Sequence, residues 1–156
     1  MAKPAQYFRA GAGALIVNAE GHVLAIERGD IEGAWQLPQG GLDASEEPLR
    51  AAYREIAEET GIQEGDLRLV KACSELLVYE LPPEARREKT GRGQVLYWFL
   101  FRIRGNHSRT ARRNRESRGW RWMPFRRVIT GVTSFRKPMY KRLEQEFGQY
   151  LESRKA

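Results

Sequence analysis

The chain has 156 residues, enough for a domain with a sizeable core, and its composition is that of a globular rather than a disordered or fibrous protein. No apolar run approaches the roughly 20 residues of a membrane-spanning helix, and the opening Met-Ala-Lys-Pro-Ala-Gln lacks the apolar core of a secretory leader; the expected setting is the cytoplasm, with no membrane partner. A formal charge of +7, from 27 basic and 20 acidic residues, points to polyanions such as RNA or nucleoside polyphosphates.

The basic surplus is uneven. Residues 109–127 hold eight arginines and a single acid, Glu116. On charge alone this segment suits a polyanion-binding surface and a solvated loop equally. Cys73 is the only cysteine, so an internal disulfide is excluded, and its apolar setting predicts a buried, inert thiol.

In chain order, Ala12–Asn18 and His22–Glu27 flank a turn at Glu20-Gly21 and predict paired strands. Trp35–Gly41 is an irregular segment. Ser45 is the expected N-cap of a helix with Pro48 in its first turn; Leu49, Ala52, Tyr53 and Ile56 recur at helical spacing, and Gly61 is the expected stop. Leu67–Leu81 reads as extended, Gln94–Ile103 as a long apolar strand and Trp120–Pro124 as a short one. A final helix is expected over Met139–Ser153, with Leu143, Phe147 and Leu151 as its apolar stripe. The aromatic run at 97–101 fits either core or a homodimer surface. Mixed strands and helices, without repeats or a clear linker, predict one α/β domain over residues 1–156, with helices packed on a mixed sheet.

Within the first helix, Glu55, Glu58 and Glu59 fall on one face at about 100° per residue. Three neighbouring carboxylates repel one another unless a cation lies between them. Their all-oxygen chemistry suits a hard ion, Mg²⁺ or Mn²⁺, and there is no Cys/His cluster for zinc. Arg54, four residues before Glu58, is placed to orient it. The same face, taken alone, also fits an ordinary solvated acidic stripe.

The preceding residues extend the pattern. Gly40, Glu46 and Arg54-Glu55-Ile56-Ala57-Glu58-Glu59-Thr60-Gly61-Ile62 reproduce the spacing of the Nudix box, nine specified positions in 23 residues. The chain thus resembles the Nudix hydrolases. That resemblance implies the Nudix fold, an α/β/α sandwich around a central mixed β-sheet, and hydrolysis of a nucleoside diphosphate linked to another group. It further implies metal ligation by Glu55, Glu58, Glu59 and the Gly40 carbonyl, with Glu46 and Arg54 more structural.

Trp35-Gln36-Leu37-Pro38-Gln39-Gly40-Gly41 is similar to a motif of bacterial RNA pyrophosphohydrolases and plant-type dinucleoside tetraphosphate hydrolases. So are Phe8-Arg9, Tyr79-Glu80-Leu81-Pro82, Gly93-Gln94, Gly119-Trp120-Arg121-Trp122 and Ser134-Phe135-Arg136. Similarity to the RNA pyrophosphohydrolase branch spans about residues 8–148. It implies that Arg9, Arg28 and Arg136 meet phosphates, as guanidinium forks suit; lysine is commoner in the family at the last position. Phe135 would stack on an unpaired base and Tyr79 would shape the pocket. Glu116 would be a further metal ligand or the general base. The expected reaction is Mg²⁺-assisted water attack on 5′-triphosphorylated RNA, leaving a 5′-monophosphate. A dinucleoside tetraphosphate or free nucleoside triphosphate hydrolase is the neighbouring reading, and a non-catalytic RNA-binding module the reading from another class.

Overall fold

A computed structural model describes residues 6–29, 32–105 and 117–151. Eight strands form one mixed sheet: β1 (Phe8–Val17), β2 (Val23–Arg28), β3 (Trp35–Gln36), β4 (Gln39–Gly41), β5 (Leu67–Ala72), β6 (Leu77–Glu80), β7 (Gly93–Ile103) and β8 (Ser117–Met123). Among the described residues three α-helices accompany them: α1 (Pro48–Thr60), α2 (Phe125–Gly131) and α3 (Lys137–Leu151).

β1 and β7 form the spine. They run parallel from Phe8↔Gly93 to Val17↔Arg102. β7 also pairs antiparallel with β5 and β6. On the other side, β1 meets β2 at Val17↔Val23 and β4 at Gly11↔Gly41, while β2 carries β3 and β8. The expected β1–β2 pairing is present, but β4 takes the far half of the β1 edge.

The pleat sorts side chains into two cores. Ala12, Ala14 and Ile16 of β1, with Phe99 and Phe101 of β7, pack with Ala51, Ala52 and Ile56 of α1. Leu15 and Val17, with Leu96, Trp98 and Leu100, pack with Tyr140, Leu143 and Phe147 of α3 and Phe125 and Val128 of α2. This is the expected layering, helices on both faces of a mixed sheet. Trp98, Phe99 and Phe101 are therefore core, and within the aromatic run Tyr97 alone is exposed. Gly13 makes room for Trp98: a Cβ there would overlap the indole ring.

Several local expectations are corrected. Ser45 is not the N-cap; it lies at φ 62, and Glu47 occupies the cap without a side-chain hydrogen bond, followed by Pro48. A residue in the left-handed region two positions early turns the chain into the helix rather than capping it. The helix end is as expected: Gly61, at φ 81, donates its N–H to the Ala57 carbonyl at 2.9 Å. The extended stretch 67–81 is two strands, broken at 73–76, and α2 is an element that the sequence pattern does not predict. The last helix starts earlier, at Lys137, and its expected end at Ser153 lies outside the described residues. Cys73 is only half-buried; desolvation still pushes its thiol above the usual range. Among the described residues no helix is long and apolar enough to cross a membrane.

Candidate active site

Helix α1 is anchored by Ala51, Ala52 and Ile56, and its Glu55 carboxylate lies against Gly40 of β4. Arg54 organises this region. Its Nε and Nη2 donate to both oxygens of Glu46 at 2.9 and 2.8 Å. Nη2 also donates to the Gly41 carbonyl at 2.8 Å, and Nη1 reaches Glu55 at 2.9 Å and Glu58 at 3.3 Å. Every N–H donor of the guanidinium is engaged, and the fork with Glu46 is bidentate. The Arg54 hydrogen bonds hold the Glu46 carboxyl down to about 2. Glu46 in turn accepts the Asp43 N–H at 2.9 Å, which closes the loop before the helix.

The carboxylates differ in setting. The Glu55 side chain is 13% exposed and Glu58 55%. Desolvation pushes the Glu55 carboxyl above the ordinary glutamate range, opposed by Arg54. The carboxylate of Glu55 lies where a Cβ of residue 40 would be, so only glycine admits it. The three carboxylates of α1 offer oxygen donors alone, chemistry that suits a hard divalent cation. Among the described residues no three such side chains converge on one point in this arrangement; Arg54 holds two of them. Glu116 lies outside the described residues.

A second cluster lies on the α3 side of the sheet. The Tyr79 hydroxyl donates to Gln94 Oε1 at 2.6 Å, and Gln39 Nε2 donates to the same oxygen at 3.0 Å. The Arg136 guanidinium sits 4.9 Å from the Tyr79 ring centre and 4.7 Å from that of Phe135, and the two rings are 5.4 Å apart. Arg136 Nη1 donates to Thr133 Oγ1 at 3.0 Å, while its buried Nε has no hydrogen-bond partner. A cation so stacked, with a donor unspent, is poised for an anion. Arg9 lies in the same row as Gln94 and Tyr79, its Nε donating to the Thr90 carbonyl at 2.9 Å. Arg28 ends β2, where its N–H donates to the Ala34 carbonyl at 2.9 Å.

Strand β4 joins the clusters. Gly40 meets Glu55, and the adjacent Gln39 reaches Gln94 on the other face. Tyr140 of the α3 layer supports the chain just before β4: its buried hydroxyl accepts the Leu37 N–H at 2.9 Å. Burial raises this phenol far above the usual tyrosine value. Sequence reasoning places neither Gln94 nor Gln39 in the site. The signals that could have found them are a glutamine at the head of a strand as apolar as 94–103 and the place of both residues in the motifs Trp35–Gly41 and Gly93-Gln94.

Residues 7–143 match the NUDIX domain. The chain belongs to the Nudix family. Among curated Nudix relatives it is 36% identical to the RNA pyrophosphohydrolase of Sphingopyxis alaskensis over 147 residues, covering 90% of this chain and 93% of that protein. It is also 36% identical to the RNA pyrophosphohydrolase of Halorhodospira halophila over 152 residues, 94% of this chain and 83% of the relative. Solved Nudix structures share the fold at lower identity. The E. coli dihydroneopterin triphosphate pyrophosphohydrolase superposes with a TM-score of 0.70 at 20% identity, covering 90% and 97% of the two chains. The C. elegans Ap4A hydrolase gives 0.67 at 22%, covering 93% and 99%. The mixed sheet between helical layers is thus the Nudix fold.

Proposed function

We propose that this Nudix protein is an RNA 5′-pyrophosphohydrolase, using Mg²⁺ (or Mn²⁺) to convert a 5′-triphosphate end to a 5′-monophosphate in the cytoplasm, as a step in mRNA decay. The observation that carries the reading is the junction at β4. A carboxylate centre suited to phosphate cleavage lies one residue from a pocket of arginine and aromatic rings. The names of the curated relatives support the same substrate.

In this reading Glu55, Glu58 and Glu59, the Gly40 carbonyl and Glu116 hold the metal. When bound, the cation neutralises phosphate oxygens and acidifies water. Glu58 is the carboxylate most free to swing, being half-exposed and held by Arg54 at 3.3 Å or more. One glutamate, of the box or Glu116, takes the proton of the attacking water. The new P–O bond forms as the bridging oxygen departs with its phosphate or pyrophosphate. Arg9, Arg28 and Arg136 bind the polyphosphate and stabilise charge on its oxygens. Tyr79, fixed by Gln94, keeps Arg136 in place, and Phe135 offers a face to the terminal base.

The test is a comparison of substrates. Protein with Mg²⁺ is given 5′-triphosphorylated RNA, diadenosine tetraphosphate and free GTP. Preferred release of phosphate or pyrophosphate from RNA is expected; preference for the dinucleotide would overturn the substrate assignment. Binding of RNA without turnover of any of the three would support a binding module instead. Phe135→Ala should lower kcat/KM on RNA by roughly 5- to 150-fold, given about 1–3 kcal/mol per stacked base, and spare GTP more. Equal loss on both would make Phe135 a packing residue.

A further inference from the structure

Beside the proposed site lies a cavity of about 380 Å³ between the end of the β2–β3 hairpin and α2. Its lining combines the apolar side chains of Trp35 and Met123 with Gly33, Gly131 and the two cations Arg126 and Arg127. A third cation, Arg121, stands over the Trp35 ring at 5.5 Å. All three arginines are exposed. Nothing in the chemistry assigned above uses them.

Two connections tie this cavity to the polyphosphate pocket. Arg28 pairs through its backbone with Ala34, next to Trp35. Gly131 ends α2, and the chain then passes through Val132 and Thr133 into the 3₁₀ turn Ser134–Arg136, which carries Phe135. The residues that line the cavity thus adjoin, along the chain and through one backbone hydrogen bond, the two segments proposed to hold the 5′ end. Its character is also particular. Arg127 has no acidic partner among the described residues, and Arg126 has only an exposed pair with Glu144 at 3.8 Å, which contributes little. Glu27, across the hairpin, is occupied by the Gly33 N–H at 2.7 Å. Free guanidiniums around an indole wall suit a single strand, with phosphates outside and a base or sugar within.

We infer that this cavity takes the RNA chain just downstream of its 5′ end, Arg126 and Arg127 meeting backbone phosphates and Trp35 a base or ribose. The inference rests on the RNA reading above. It makes the enzyme sense substrate length: a triphosphorylated dinucleotide fills the catalytic pocket alone, whereas a longer unstructured strand also fills the cavity.

The experiment compares kcat/KM on a triphosphorylated dinucleotide and on a longer unstructured triphosphorylated oligonucleotide, for the intact protein, Arg127→Ala and Arg126→Glu/Arg127→Glu, across a salt series. The longer RNA should be favoured by the intact protein. In the variants that advantage should shrink through KM, with the dinucleotide values held. The salt dependence on the longer RNA should become shallower by about 1 in log–log slope for each phosphate that an arginine no longer neutralises. No length preference in the intact protein, with RNA still turned over, overturns the inference and leaves the proposed function standing. The same holds if the variants lose equally on both lengths or on neither. Turnover of diadenosine tetraphosphate but not RNA overturns both.

Discussion

Arg54 and Glu46 show how a neighbour of the reacting groups can matter as much as the groups themselves. Arg54 ties the loop, through Glu46 and the Gly41 carbonyl, to the helix that carries Glu55 and Glu58. Lysine could not replace it, since a single ammonium cannot make the fork. Because Glu46 titrates at about 2 rather than its usual 4.5, the folded state binds that proton more weakly than the unfolded chain. Its stabilisation is therefore full above pH 4.5 and is lost as pH falls from there through about 2. The protein should be more stable than its Glu46→Gln variant at neutral pH. Denaturant titrations at successive pH values should show that gap closing across this window; a gap unchanged down to pH 2 would contradict the assignment.

At the scale of elements, the sheet positions the site through close approaches that only small residues allow. Gly13 admits the Trp98 ring, and that ring, 1% exposed, supports the α3 layer beside Tyr140. Gly13→Ala should cost about 1–3 kcal/mol by overpacking and lower Tm by about 2–4 °C for each kcal/mol. Gly65→Ala, where a Cβ meets nothing, should leave Tm unchanged; equal effects in the two variants would refute the packing account. The elements also show why the sequence is informative in some places and silent in others. The carboxylate face lies within one helix, so spacing along the chain suffices to see it. Gln94, Gln39 and Tyr79 meet only through the registers Arg9↔Gln94, Tyr79↔Gln94 and Gly13↔Gln39, which no local pattern contains. Helix α2 has helical spacing in Phe125, Val128 and Ile129, but its seven residues are too short a window for periodicity to declare a helix. Ser45 misleads because its residue type suits a cap while its backbone conformation does not.

For the whole molecule, the two halves of the proposed site sit on the two faces of one sheet. The α1 layer supplies carboxylates and the α3 layer supplies arginine and aromatic groups, with β4 passing between them. The net charge of +7 favours the encounter with a polyanion, so RNA turnover should weaken with salt. In the proposed reaction the box carboxylates, Glu58 among them, are the groups that hold the ion and take the proton. The most direct test of that role is turnover of 5′-triphosphorylated RNA with Mg²⁺ by the intact protein and by Glu58→Gln, with circular dichroism confirming that both are folded. Glu58 is half-exposed and its loss should barely disturb the fold. A fall in kcat of about a hundredfold or more is predicted, the size expected when a positioned acid–base or metal-holding group is removed. Turnover by folded Glu58→Gln within a few-fold of the intact protein would contradict the account.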